Sequence, residues 1–345
     1  MTDQSPTVAV RAGRRAIVPR LARAPAFGVA VAAVLLYAFF AVDAGSNGFT
    51  SVAGTASWLN TAADLGVIAV PIGLLMVAGE IDLSTGSVVG VSSITLGLLN
   101  GYYHDSLLLS AVVALLVGSA VGLANGLLVT KTRVPSFIAT LATNYIFAGL
   151  GLALAQSVAG TTQVPVLARG ATATVLAGQA GQFNVAILWW LGVAVCGTWI
   201  LTRRRFGNWI LAAGGSNENA RRAGVPTARV KLSLFVCTAS ASALVGIMQA
   251  VQYKTGDATT GQSYVFQAPI VVVIGGVLLT GGSGSVVGVV FGTLIYGFVS
   301  AGLFYTGWNT NYAQVIIGVL MIIAVLTNAS VRNAIQRAVQ WSRER

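Results

Sequence analysis

Long apolar stretches separated by short polar links run through most of the 345 residues. A helix crosses a bilayer in roughly 17–25 predominantly apolar residues, and ten stretches read as such spans: 26–42, 61–79, 85–101, 107–130, 135–155, 186–202, 232–253, 266–280, 285–305 and 311–328. The third and eighth are the weakest, being short or rich in Gly and Ser. The pattern predicts an all-α, polytopic membrane protein of about ten transmembrane helices. It divides into a basic segment 1–25, a transmembrane domain 26–328 and a tail 329–345. Two links stand out by length. The link 156–185 is nearly uncharged and rich in Gly, Ala and Thr, suited to a short helix or re-entrant piece over the bundle. The link 203–231 is charged and helix-compatible.

Charge orients the bundle. Basic residues concentrate in cytoplasmic links, and an even number of spans puts both termini on one side. With that side cytoplasmic, 18 of the 20 Lys and Arg residues lie inside, leaving Arg169 and Lys254 outside. Arg11, Arg14, Arg15, Arg20 and Arg23 precede the first apolar run as in a secretory leader. The poor cleavage site at Val42-Asp43-Ala44-Gly45 makes that run a retained span.

Composition agrees: 55% of residues are hydrophobic and 8% charged, against about 25% charged in a soluble domain. The net charge of +11 does not indicate nucleic acid, because the arginines lie between apolar runs with no interleaved aromatic platform. Cys196 and Cys237 fall inside apolar runs and read as small buried hydrophobes. Gly118, Gly122 and Gly126 put a small-residue ridge on one face of the fourth span, suited to close helix packing. The pentapeptide GSVVG occurs at 86–90 and 284–288, each time after an Ile-Gly pair. It marks either an internal duplication or a chance recurrence in a Gly/Val-rich chain.

Catalytic chemistry has no constellation here. None of the lysines follows the Gly that a phosphate-binding loop requires. The single histidine, His104, lies in a predicted outer turn beside Asp105 and founds no metal site. Any ATP must be bound by another chain. The sharpest local feature is Gly79-Glu80-Ile81-Asp82-Leu83-Ser84-Thr85-Gly86-Ser87. Its carboxylates would each cost about 2.5–3.5 kcal/mol at the centre of a span. In the simpler reading Asp82 or Ser84 caps the third span and Glu80 lies at the cytoplasmic interface; in the other, the segment meets solute. In 203–231, Ser216 or Asn217 can start a short helix that Gly224 ends, as a solvated loop or as a docking element.

These segments carry a family resemblance. Gly79–Ser87 is similar to the G-G-I-D-L-S-x-G-S of permeases of ribose-, xylose- and arabinose-type ABC importers, with Glu80 in place of the commoner Gly. Asn125-Gly126-Leu127-Leu128-Val129, Val134–Leu141, the late Gly-rich turn Ile274–Ser285 and the link Gly214–Gly224 match in order. That link resembles G-G-N-x-x-A-A-R-x-x-G, with Ser216 for Asn and Asn219 for the first Ala. The resemblance spans about Asn60 to Asn328. It implies a second permease subunit (another copy or a homologue), a cytoplasmic ATPase pair that binds ATP and Mg, and an extracytoplasmic sugar-binding protein. It further implies that Asn217, Glu218, Arg221, Arg222 and Gly224 form the ATPase-coupling segment.

The interiors of the spans hold almost no charge, with Asp64, Glu80 and Asp82 near span ends. Thr140, Thr143 and Asn144 share one face of the fifth span. They serve either as cross-helix glue or as a path whose amide and hydroxyls suit a neutral sugar. Rival functions are a permease for another solute, such as a nucleoside or branched-chain amino acid, and a self-sufficient secondary transporter. The secondary transporter would predict ionisable residues inside spans.

Overall fold

The computed structural model describes residues 26–132 and 134–343, with side chains described through residue 327. The five N-terminal arginines, Arg133 and the side chains of the tail lie outside the described residues. Thirteen α-helices dominate: α1 Phe27–Asp43, α2 Val52–Val77, α3 Thr85–Leu96, α4 Leu107–Lys131, α5 Ser136–Ala159, α6 Gly170–Ala177, α7 Ala186–Arg203, α8 Arg205–Gly215, α9 Asn217–Arg222, α10 Thr227–Gln252, α11 Tyr264–Ile274, α12 Val286–Thr306 and α13 Tyr312–Arg343. A widened π-helical turn, Gly97–Tyr102, prolongs α3. Among the described residues, six helices (α2, α4, α5, α7, α10 and α12) are long and apolar enough to cross a membrane, and α1, α11 and residues 312–327 of α13 are shorter apolar helices.

Each expected span overlaps a helix, and the three largest boundary shifts are these. α2 starts nine residues before the expected span, because Ser51 caps it by accepting the Gly54 N–H. α11 ends at Ile274, since the glycines that follow adopt turns, with Gly276 at φ +85°. α13 continues without a break through the expected boundary at 328. The link 156–185 carries α6 and short two-stranded ladders: β1 Gln163–Pro165 pairs with β4 Thr255–Asp257, and β2 Gln179–Ala180 with β3 Phe183–Asn184.

The core lies around α2 and α10, whose apolar windows are 83% and 72% buried, against 22% for α5. Exposed Leu, Ile, Val and Phe side chains cover the outer faces of α1, α4, α5, α7 and α13, as lipid rather than water requires. Cys196 and Cys237 are on this exposed surface and not in the core; a thiol costs little to place in lipid. The ridge Gly118, Gly122 and Gly126 faces α10, where an added Cβ would collide with Ala243, Phe235 and Leu232 respectively.

The chain is duplicated. A constant offset of 175 residues carries α2 onto α10, end to end, and the C-terminus of α4 onto that of α12; the start of α5 falls one residue before α13. Packing repeats with it: α2 packs on α12 as α10 does on α4, α3 on α10 as α11 on α2, and α3 on α5 as α11 on α13. α2 ends against Gly214 of α8, and α10 starts beside the same α8–α9 segment, so the two counterparts run in opposite directions and the repeat is inverted. The GSVVG copies do not mark it. Ser285 caps α12, whereas Ser87 is the third residue of α3. The equivalent turns are Asp82-Leu83-Ser84-Thr85-Gly86 and Asp257-Ala258-Thr259-Thr260-Gly261. In each, the Asp Oδ1 accepts from the backbone N–H and the hydroxyl of the residue two positions on, at 2.6–2.9 Å. The turns meet reciprocally: a Cβ on Gly86 would lie 2.8 Å from the Gly261 carbonyl, and one on Gly261 2.9 Å from that of Gly86. At Asp257 partial burial favours the neutral acid, but the hydrogen bonds from Thr259, Gln163 and Thr260 together hold the carboxyl below its usual range.

Candidate functional site

The feature that breaks the bundle's regularity is the unwound stretch between α2 and α3. Gly79 leaves α2 at φ +85°, in the left-handed region that glycine adopts without strain. The stretch is partly buried, with Asp82 and Ser84 fully so; N–H groups shielded from water need partners, and α5 supplies three. Ser136 Oγ accepts the Ile81 N–H at 3.1 Å, Thr140 Oγ1 the Leu83 N–H at 3.0 Å and Asn144 Oδ1 the Ser87 N–H at 2.9 Å. These three α5 residues lie four apart, one per turn. Asn144 thereby caps α3 from another helix. Neither Asp82 nor Ser84 makes the expected side-chain cap, because Ser84 itself adopts helical φ/ψ and its hydroxyl turns to Asp82.

Asp82 and Ser84 form a fully buried knot. Besides its bonds to Ser84, Asp82 accepts from Thr238 of α10 through Oδ2 at 2.7 Å, and Asn125 of α4 donates to Ser84 Oγ at 2.8 Å. One short segment thus ties α4, α5 and α10 together. Glu80 is ion-paired with Lys231 of α10, their side chains 13% and 11% exposed. Breaking a largely buried pair from one side leaves an uncompensated charge, at about 3–5 kcal/mol. Lys231→Met is therefore expected to destabilise the permease fold strongly, and Glu80→Gln added to it to recover most of the loss; thermal melting of the purified variants reads both.

The 203–231 link folds as α8 and α9. Ser216 Oγ accepts the Asn219 N–H to start α9, and Gly224 ends it at φ +82°. Asn217, Glu218, Arg221 and Arg222 line one surface cleft of about 540 Å³. Glu218 and Arg222 pair across one turn, with side chains 73% and 76% exposed; such a pair adds at most a few tenths of a kcal/mol and leaves both side chains open to a partner.

Three glycine-rich stretches meet where α8 ends. Gly282 N–H donates to the Val77 carbonyl at 2.8 Å, joining the α11–α12 turn to the end of α2. Gly214 is wedged against both: a Cβ there would lie 1.8 Å from Val77 O and 2.5 Å from Gly282 N. Gly281 would likewise meet Gly79, and Gly282 would meet Gly215. Backbone therefore touches backbone among the α8–α9 segment and two helix breaks, one in each repeat.

Thr140 and Asn144 spend their side chains on the unwound stretch, and Thr143, partly exposed, bonds to the Thr140 carbonyl. A second polar group forms around Asp64, which the sequence places near a span end. Asp64 is mid-way along α2, since that helix starts at Val52. Gln249 of α10 reaches toward it at 3.4 Å and donates to the Tyr264 hydroxyl at 2.7 Å. The signal available was the Ser51 cap, which lengthens α2. Likewise, the Asp-x-Ser/Thr-Thr-Gly recurrence would have located the duplication.

Residues 54–325 match the family model described as branched-chain amino acid transport system / permease component. The chain is 30% identical to the inner membrane ABC transporter permease protein YjfF of Escherichia coli K12, over 81% of this chain and 84% of that one. It is 33% identical to the xylose/arabinose import permease protein XylH of Sulfolobus acidocaldarius, over 77% and 74%. It is 28% identical to the ribose import permease protein RbsC of E. coli K12, over 76% and 81%. No solved structure matches.

Proposed function

Because the chain belongs to the family of branched-chain amino acid transport system permease components, we propose that it is the membrane-spanning subunit of an ATP-binding-cassette importer carrying a neutral monosaccharide or related polyol into a bacterial cell. It crosses the inner membrane ten times with both termini cytoplasmic. A cytoplasmic ATPase binds ATP and Mg and docks on α9 through Asn217, Glu218, Arg221 and Arg222. A binding protein delivers solute at the opposite face. A second permease subunit, another copy or a homologue, completes the pathway.

The observation that carries this reading is the glycine junction. Closure of the ATPases pushes α9, and the rigid Gly214 contact passes the push to the helix breaks of both repeats at once. The repeats then rock about the meeting point of Gly86 and Gly261, which is the motion alternating access requires. The α5 face flanks the path: Thr140 and Asn144 hold the moving segment, and Thr143 offers its hydroxyl.

The solute assignment follows the relatives, named for ribose and xylose/arabinose import. A zwitterionic amino acid calls for a fixed cation and anion along its path. Among the described residues, the largely buried ion pair Glu80–Lys231 is closed on itself, Glu218–Arg222 is exposed on α9, and Asp64 within α2 has no cation paired with it.

The test uses vesicles holding the permease, its ATPase and its binding protein, offered labelled ribose, xylose, fructose or leucine. Sugar uptake is expected only with all three components and ATP. Leucine uptake, or sugar uptake by the permease alone, would overturn the proposal. In the same vesicles Glu218→Arg is expected to cut uptake at least tenfold, about 1.4 kcal/mol or more of lost docking, with the permease's thermal midpoint unchanged. Normal uptake would remove α9 as the docking element.

A further inference from the structure

At the junction of α7 and α8 three consecutive arginines, Arg203, Arg204 and Arg205, are exposed. Together with Ile200 and Phe206 they line a cleft of about 510 Å³. Among the described residues no carboxylate pairs with any of them. The Arg204 guanidinium is stacked on the Trp199 ring, 3.8 Å from its centroid, a geometry that fixes a planar cation in place.

What leads to the cleft identifies its occupant. Leu188, Leu191, Val195 and Trp199 are 67%, 49%, 68% and 48% exposed. Their spacing of three or four residues makes them one stripe along α7, ending at the ring under Arg204. The stripe is roughly 16 Å long at 1.5 Å per residue, close to half of the ~30 Å hydrocarbon core. Beyond it α8 is amphipathic, burying Ile210 and Ala213 while Phe206 and Trp209 contact each other at 6.5 Å between centroids. Both rings are partly buried against the bundle core, and a Trp at this level suits the membrane interface.

We infer that the α7–α8 corner binds one anionic phospholipid: an acyl chain lies along the α7 stripe, and the headgroup phosphate sits in the cleft, held by the Arg203–Arg205 fork donors. Guanidinium groups suit phosphate because parallel N–H groups match its oxygens. A zwitterionic lipid would fill the stripe equally but would bring no net negative charge to the three unpaired cations. The acidic surface of a cytoplasmic partner would satisfy the cations but would leave the stripe and the Trp199 stack without a role. The site does not depend on which solute is carried.

The full-length permease in a neutral detergent is titrated with phosphatidylglycerol, with phosphatidylcholine of the same chains, and with glycerol 3-phosphate. Retained lipid is counted by native mass spectrometry and stability by thermal melting. Phosphatidylglycerol is expected to be retained and to raise the melting midpoint; the other two are not. Each arginine changed to glutamine is expected to weaken retention roughly fivefold. Val195→Ser weakens it without changing charge, and Arg204→Lys keeps the charge but loses the stack. The single variants keep the test valid if the triple Arg203→Gln/Arg204→Gln/Arg205→Gln protein fails to fold. Equal retention of both lipids, or an unchanged phosphatidylglycerol preference in the single variants, would overturn the proposal. If glycerol 3-phosphate alone stabilises the protein, the cleft is a soluble-phosphate site and the lipid assignment fails. If the arginine variants keep the lipid but lose the ATPase, the cluster is a protein-docking face and the assignment fails as well.

Discussion

Gly214→Ala is expected to abolish uptake and to lower the melting midpoint of the permease, while Gly215→Ala leaves both nearly unchanged. The two positions adjoin at the end of α8, yet their surroundings differ. A methyl at Gly214 would stand 1.8 Å from the Val77 carbonyl and 2.5 Å from the Gly282 nitrogen; at Gly215 nothing lies within 4 Å. Both obstacles at Gly214 are backbone, so no rotamer change relieves the clash. The α8 end must withdraw, or the Gly282–Val77 hydrogen bond must break. Overpacking of this kind costs about 1–3 kcal/mol, and a broken buried hydrogen bond adds about 1–3 kcal/mol. Transport should suffer beyond stability, because withdrawal separates α8 from both helix breaks. Measuring uptake and ATP hydrolysis together in vesicles checks this: hydrolysis should persist without uptake. Equal effects at Gly214 and Gly215 would remove the junction as the point where force is passed on.

The second large effect concerns Asp82. Asp82→Ala removes the acceptor for the Ser84 N–H, the Ser84 hydroxyl and the Thr238 hydroxyl at once, in a site with no access to water. Thr238 keeps a fallback in the Phe235 carbonyl at 2.9 Å, but the Ser84 N–H has none. The loss is expected at about 2–4 kcal/mol, seen as a lower melting midpoint. Asp82→Asn should cost only about 1 kcal/mol, because its carbonyl oxygen can still serve Ser84 and its amide can donate to Thr238 Oγ1. If Asn proves as damaging as Ala, the negative charge itself is required, and the knot has a role beyond holding the unwound stretch.

Much of the scaffold was legible because lipid imposes a coarse rule, a long apolar run per crossing, that needs no partner to be recognised. Every expected span overlaps a helix, and six of those helices are long and apolar enough to cross a membrane. Boundaries slipped where a local signal was overlooked, as with the Ser51 cap that moves Asp64 from a span end to mid-helix. The short helix closed by Gly224 was legible for the same reason: cap, turn and left-handed glycine are local. The candidate site was less so. Asp82 stood out as a carboxylate between apolar runs, but Thr238 and Asn125 look unremarkable in sequence, being 156 and 41 residues from the groups they bond. Thr140 and Asn144 were correctly placed on one face, and only packing showed the unwound backbone that this face serves.

The sequence by itself determined that the chain is a helical membrane protein, since burial in lipid acts residue by residue. Only the tertiary structure decided that the chain is an inverted repeat in which Asp82 and Asp257 are counterparts, and that Gly79, Gly214 and Gly282 meet. Those facts depend on close approach between residues distant in the chain, where a missing Cβ or one hydrogen bond fixes the geometry and leaves little periodic trace in the sequence.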